Sequence, residues 1–256
     1  MSDLFPGITR DPSTRQYTIE SSGKMMRSNS SVTTFYKKFF PQFDPIAAYE
    51  SMGKTAREKY NGMTREQVFA QWNEKGRKST QEGTKMHRDI ENFIKFGTAS
   101  PSVEMDNYAR FVAERCNPIK LRAIAVEQKV FVELRNTCLA GEIDYIGEDG
   151  DGNKYIVDWK RVENLNRTAH GNYGYGLGCC SALENVNYNQ YSLQLHMYRY
   201  MLMHTYGIDI LPNNVLICNL YPSNYECCTA KDVSAIVEQM MEKFPDMVAN
   251  KWRLDV

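Results

Sequence analysis

The chain lacks a long apolar run. No stretch approaches the roughly eighteen residues that a membrane-spanning helix needs, so no such helix is expected. The first residues, MSDLFPGITRDPSTRQY, hold no apolar segment of the signal-peptide kind. No secretory signal is therefore expected, and the chain is read as intracellular. Charge of either sign is not in excess either, because 31 Lys and Arg balance 31 Asp and Glu. Global charge offers no steering toward a polyanion, so basic residues that meet nucleic acid have to be gathered locally. Cysteine is odd in number and poorly spaced for a metal. The seven are Cys116, Cys138, Cys179, Cys180, Cys218, Cys227 and Cys228, with no C-x-x-C among them. Reduced thiols are the expectation. Internal repeats, low-complexity blocks and linkers are absent as well. What remains is an ordinary globular composition. In 256 residues, 42% are hydrophobic and 24% charged, enough for one domain with a real core.

The most informative stretch is LAGEIDYIGEDGDGNKYIVDWKR, residues 139–161. It reads as two strands around a turn dense in Asp, Gly and Asn. A buried hairpin needs no acids, yet Asp144 falls within the first strand and Asp158 within the second. Side chains alternate faces along a strand, so Asp158 and Lys160 point the same way. Buried charge costs several kcal/mol unless it is paired or bound to metal. Two carboxylates and an ammonium on one sheet face therefore point to a divalent-metal site with a cationic partner. The turn itself places Asp149, Asp151 and Asn153 at calcium-loop spacing. Lys154 stands where that loop requires Gly, and Lys160 where it requires Glu, so calcium is not expected there.

Around this hairpin the pattern is mixed. Residues 1–30 are polar and read as a flexible N-terminal arm or a surface wrap. Ser31 or Thr33 is positioned to cap a short aromatic helix that also carries Lys37 and Lys38. A helix is expected over 45–60, with Pro45 in its first turn. Thr64-x-x-Gln67 and Ser79-x-x-Glu82 each have capping-box form, so two successive helices are expected there. In the second, His87 and Glu91 lie four apart on one face. A helix over 103–116, a long strand over 121–134 containing Glu127, a helix over 188–206, a strand over 214–221 and a closing helix over 230–248 complete the reading. The Gly-rich segment 162–187 follows Lys160 directly. Its Gly171, Gly174, Gly176 and Gly178, with Tyr173 and Tyr175, suit either a wall or gate over the site or an insertion without a role.

The core spacing resembles the PD-(D/E)xK nuclease superfamily, with Asp144 and Asp158-Trp159-Lys160 in the matching places. Ile143 stands where the Pro of that name would be. The likeness extends to the RecB-like exonuclease branch through Gly83/His87/Ile90/Glu91 upstream and Gln194/Tyr198 downstream. The pattern spans residues 30–221, and some giant-virus and phage chains share the look of its Asp158-Trp159-Lys160-Arg161 strand followed by Tyr191-Ser192-Leu193-Gln194-Leu195. The resemblance implies an α/β, restriction-endonuclease-like core: a central mixed β-sheet flanked by helices. It implies one nuclease domain over 31–256, with a helical part at 31–118 and a catalytic core at 119–256. It further implies Mg²⁺ or Mn²⁺ held by His87, Asp144, Asp158 and the Trp159 carbonyl, with Glu91 and Glu127 in support. Glu127 is equally readable as an exposed edge-strand residue. Lys160 would hold the attacking water. Gln194, Tyr198, Gln190, Thr33, Lys37, Lys38 and Arg161 would meet DNA, single-stranded or with free ends. Relatives with an iron–sulfur cluster carry a Cys upstream of the core, and this chain has none before Cys116, so no cluster is expected. The activity implied is a metal-dependent DNA exonuclease of recombination, repair or replication. An endonuclease of the same fold and a non-catalytic nucleic-acid-binding module are the alternatives.

Overall fold

The computed structural model describes residues 4–5, 7–21, 23–168 and 174–254. In chain order its elements are β1 (Ile8–Arg10), β2 (Tyr17–Ser21), β3 (Lys24–Arg27), β4 (Ser30–Ser31), α1 (Val32–Tyr36), α2 (Pro45–Glu50), α3 (Lys54–Glu58), α4 (Arg65–Phe96), α5 (Val103–Phe111), β5 (Arg122–Leu134), β6 (Thr137–Glu148), β7 (Lys154–Lys160), α6 (Asn187–Tyr206), β8 (Val215–Asn219), β9 (Glu226–Thr229) and α7 (Ser234–Ala249).

β4 to β9 form one mixed sheet in the order β4-β6-β7-β8-β9, with β5 along the other edge of β6. The β5–β6, β6–β7 and β8–β9 pairs are antiparallel, while β4–β6 and β7–β8 are parallel. Parallel β7 and β8 need a crossover, and α6 supplies it. One face of the sheet is covered by α1, α6 and α7 through Phe35, Leu193, Met201, Met240 and Phe244. On the other face α4 and α5 pack Met86, Ile90, Tyr108 and Phe111 around Trp159. Each such side chain adds about 1.5–3 kcal/mol when fully buried. The α/β class expected from the sequence, a mixed sheet flanked by helices, is the architecture found.

One detail of the pairing positions everything that follows. On a single edge of β6, β4 pairs with Leu139 and Ala140, and β7 pairs from Tyr145 to Glu148. Residues 141–144 have no strand partner on that edge. At the far end of the hairpin the acid-rich turn is held by Asp149. Its carboxylate accepts from the Asp151 and Asn153 backbone N–H groups, the Asn153 amide and the Tyr155 hydroxyl.

The structure departs from the sequence reading in several places. Residues read as a flexible arm or a surface wrap include a three-stranded antiparallel sheet, β1-β2-β3. The alternating Tyr17 and Ile19 bury with Ile8 against Cys138 and Ala140, an apolar face that a polar composition conceals. The two helices expected to begin at the capping boxes are one 32-residue helix, α4. Thr64 and Gln67 do form their box. At the second box the Thr80 and Thr84 hydroxyls instead donate to carbonyls one turn back, and Glu82 pairs with Arg161. Gly97, at φ +72°, ends the helix in the left-handed conformation that glycine adopts without strain. The helix expected over 45–60 is broken into α2 and α3, with Gly53 as the extended N-cap of the second. The closing helix begins at Ser234, because 226–229 are taken by β9 and the Ala230 N–H still donates to Val215. The stretch 174–186 is anchored: Leu177 N–H donates to Phe39, and Cys180, Leu183 and Val186 are buried. Gly171 and Tyr173 lie outside the described residues. No helix is long and apolar enough to cross a membrane among the described residues.

Candidate active site

The unpaired edge at 141–144 is where β6 and β7 diverge. Asp144 sits at the divergence, and its Oδ2 accepts the Trp159 backbone N–H at 2.8 Å, in the place where a ladder carbonyl would otherwise be. α4 crosses this point and presents His87 between the buried Met86 and Ile90 turns. His87 Nδ1 lies 3.5 Å from Asp144 Oδ1 and 3.4 Å from Glu127 Oε1. Glu127 comes from the middle of β5. Its neighbours Val126 and Gln128 face Tyr145 and Ile143, so Glu127 is level with Asp144 across the pair. It has φ +48°, a left-handed conformation uncommon for a non-glycine residue. The strand changes faces at that point. Val126 packs toward α4 and α5, whereas Val130 packs toward α6. Such strain persists only where the surroundings over-determine it. Here it aims a carboxylate at His87.

His87, Glu127 and Asp144 form the one group of three or more ligating side chains among the described residues, their ligand atoms lying within 4.8 Å of one another. Asp158, expected as a ligand, is not in this group. It is buried beside it with Lys160 Nζ 2.6 Å from Oδ2, a close ion pair without hydrogen-bond alignment. Burial pushes the Asp158 carboxyl up to about 6, against the pull of Lys160. Burial likewise raises Asp144, with His87 opposing. Burial pulls His87 down, but Asp144 and Glu127 together outweigh it and raise the imidazole to about 9. Lys160 is also raised, because Asp158, Asp144 and Tyr191 overcome its desolvation. Three carboxylates thus surround one ammonium and one imidazole.

The donor set fits a divalent cation. Ligand atoms about 2.1 Å from one octahedral ion lie roughly 3–4.2 Å apart, and the His87 separations fall in that range. Two hard carboxylates with one imidazole suit Mn²⁺ as well as Mg²⁺. Binding requires neutral His87, so a cation would displace its proton.

Lys160 leads away from this centre. Its Nζ lies 3.4 Å from Gln194 Oε1 and 4.6 Å from the centre of the Tyr191 ring. Gln194 in turn donates to the Tyr198 hydroxyl at 3.3 Å. Tyr198 is buried against the unpaired edge of β6. A Cβ on Gly141 would stand 2.5 Å from its ring and 3.1 Å from Val32, so only glycine fits there. Tyr191 was missed in the sequence, although 191, 194 and 198 share a helix face.

Other expected residues are elsewhere. Glu91 is committed to Lys95 at 2.6 Å and does not reach the triad. Gln190 donates to Asn185 at 2.8 Å. Arg161 is tied to Glu82 at 2.9 Å and Glu104 at 2.7 Å and stacks on Tyr221. Thr33, Lys37 and Lys38 line a groove that adjoins Tyr198. Ser31, not Thr33, caps α1 by accepting the Thr34 N–H. His196 points away from the site toward Ser234.

No protein-family model and no curated protein matches the chain. Among solved structures it is similar to a candidate exonuclease from Eubacterium rectale, at 13% identity and a TM-score of 0.38 over 58% of this chain and 53% of that one. It is similar also to the protein SSO0001, at 9% identity and a TM-score of 0.31 over 57% of each chain. The chain thus matches little more than half the length of either.

Proposed function

We propose that the protein is a divalent-metal-dependent nuclease that hydrolyses phosphodiester bonds in DNA, acting as an exonuclease on ends or single strands. The observation that carries this reading is the convergence of His87, Glu127 and Asp144 at the strand divergence, with the Asp158–Lys160 pair directly beside them. His87, Glu127 and Asp144 would hold Mg²⁺ or Mn²⁺. A bound cation supplies an acidified water and neutralises charge on the phosphate. The protein's own groups do the rest. Asp158 fixes Lys160, whose ammonium is placed to hold the attacking water and to meet negative charge as it develops. Losing one such electrostatic contact typically costs about 10²–10³ in rate. Gln194 and Tyr198 orient the strand from the Lys160 side, and orientation itself lowers the barrier. A catalytically idle binding module would have no need of an ammonium buried against two carboxylates.

The test uses end-labelled linear and circular single-stranded DNA with Mn²⁺, Mg²⁺ or EDTA. Cleavage of linear DNA only, with either metal and not with EDTA, is expected. Lys160→Ala should reduce it by 10²-fold or more while DNA affinity stays within a few-fold. Cutting of the circle would make the enzyme an endonuclease. A normal rate in Lys160→Ala would refute the assignment.

A further inference from the structure

Although the chain has no net charge, one groove beside the candidate active site is lined by four cations and no carboxylate. Arg10 ends β1 and Arg15 lies in the β1–β2 connection, while Lys37 and Lys38 directly follow α1, with Ser31 and Thr33 also in the lining. The groove has a volume of about 710 Å³. Gly141 and Tyr198 also line it, so it meets the catalytic side through the Tyr198–Gln194–Lys160 series.

The cations are differently committed. Arg10 pairs with Glu142 at 2.8 Å, and Lys38 lies 4.7 Å from the Trp252 ring centre. Arg15 and Lys37 are exposed and have no ion-pair partner among the described residues. Arg15 is nevertheless held in place. Its backbone has φ +59°, and its N–H donates to Asp11 O. The Asp11 carboxylate accepts from the Ser13 N–H, the Ser13 hydroxyl and the Thr14 N–H, at 2.8, 2.6 and 2.8 Å. A hydrogen-bonded turn in a small sheet thus brings an exposed guanidinium into the same groove as the exposed Lys37 ammonium. Exposed cations without carboxylate partners leave the groove positively charged and attractive to an anion.

We propose that this groove grips the phosphodiester backbone of an unpaired strand next to the scissile bond, and that the N-terminal sheet exists to form its outer wall. The inference rests on the nuclease reading for the identity of the strand. Its volume is that of a small-molecule cleft, enough to seat a short length of one strand. Cations and hydroxyls dominate the lining and suit phosphate rather than base edges; of the two amides there, Asn29 is engaged with the Cys138 N–H, leaving Gln16. Arg suits this role because its guanidinium forks onto two phosphate oxygens, while Lys acts as a point charge.

The experiment measures binding of a fluorescent oligothymidylate by anisotropy in EDTA, across NaCl from about 50 to 200 mM. The variant is Arg15→Asn with Lys37→Gln. Asn tolerates the left-handed backbone at 15, so the turn should survive. Each single-strand phosphate contact contributes about 0.7 to the log–log salt slope, so the slope should flatten by about 1.4 and affinity should drop about 10- to 30-fold near 0.1 M salt. Lys54→Gln with Lys59→Gln removes the same charge from the two ends of α3, at its first residue and its C-cap, and should leave the slope unaltered. The Mn²⁺-induced rise in melting temperature should persist in the groove variant, showing an intact metal site. A parent protein that cleaves DNA while the groove variant keeps slope and affinity would overturn the groove and leave the nuclease reading standing. The predicted slope change in a protein that never cleaves would do the reverse. An equal loss of affinity for duplex DNA, or no binding of the oligonucleotide by the parent, would overturn the groove assignment.

Discussion

At the scale of single residues, Glu127 is the most consequential. A strand glutamate in the sequence is as readable at an exposed edge as at a metal, and β5 is indeed an edge strand. What turns the side chain inward is its own backbone at φ +48°, which no local pattern announces. Asp144, Asp158 and Lys160 were legible because charge inside an apolar hairpin demands a partner. Asp158 lies beside the triad rather than in it, with the Lys160 ammonium 2.6 Å from its carboxylate, while Glu127 stands with His87 and Asp144. A prediction follows from the electrostatics. Glu127 is one of two carboxylates that hold His87 at about 9. Glu127→Gln should bring the imidazole down toward its ordinary range and shrink the Mn²⁺-induced melting shift. That shift is worth RT ln(1 + [L]/Kd), about 2.7 kcal/mol at a hundredfold excess over Kd. An NMR titration of His87 that does not move in the variant would remove Glu127 from the centre.

At the scale of elements, α4 shows how a correct local signal can be overridden. Ser79-x-x-Glu82 has the form of a helix start, but capping competes with continuation. Here the Thr80 and Thr84 hydroxyls satisfy themselves on helix carbonyls while Glu82 goes to Arg161. One continuous helix therefore runs from the Thr64 cap through His87. Gly83 then sits in a helix interior, with nothing within 4 Å of an added Cβ. Gly83→Ala should therefore stabilise the protein by about 0.5–1 kcal/mol in urea denaturation. Destabilisation would mean that the helix is broken at Ser79 after all. α6 illustrates the opposite case. It is buried on nearly every side, so its apolar period gives no single face, and only the Gln194 and Tyr198 spacing marked the side that meets Lys160.

At the scale of the whole molecule, stability should depend on pH through a group far from the site. His196 of α6 is buried where α7 begins, with Nδ1 3.3 Å from Ser234 Oγ and Nε2 without a partner. Burial is the main cause that lowers it to about 4, with Asp232 opposing and Arg199 assisting. A base with a folded-state pKa below its unfolded value costs nothing when neutral in both states. As pH falls below about 6.5 the unfolded chain takes the proton first, so stability drops until about pH 4 and then levels off. The loss should be on the order of 2–3 kcal/mol. Asp158, raised to about 6, works in the other direction over the same window, so the measurement is the difference between the parent and His196→Gln. Urea midpoints at pH 7.5 and 5 should fall less in the variant, and equal falls would exclude His196 as the cause.

The sequence by itself determined the α/β class, the hairpin with its two acids and lysine, and the helix bearing Gln194 and Tyr198. These are periodic or chemically costly patterns confined to a few neighbouring residues, and such patterns survive any tertiary arrangement. That Glu127 joins His87 and Asp144, that Glu91 and Arg161 are consumed by ion pairs, and that Arg15 and Lys37 line one groove emerge only from the folded chain. Each of these is a choice among partners remote in the chain. Residues 127 and 87 acquire a relation only once β5 has paired with β6 and α4 has packed over them, and residues 15 and 37 only once the small N-terminal sheet has packed on β6; no local propensity encodes those distances.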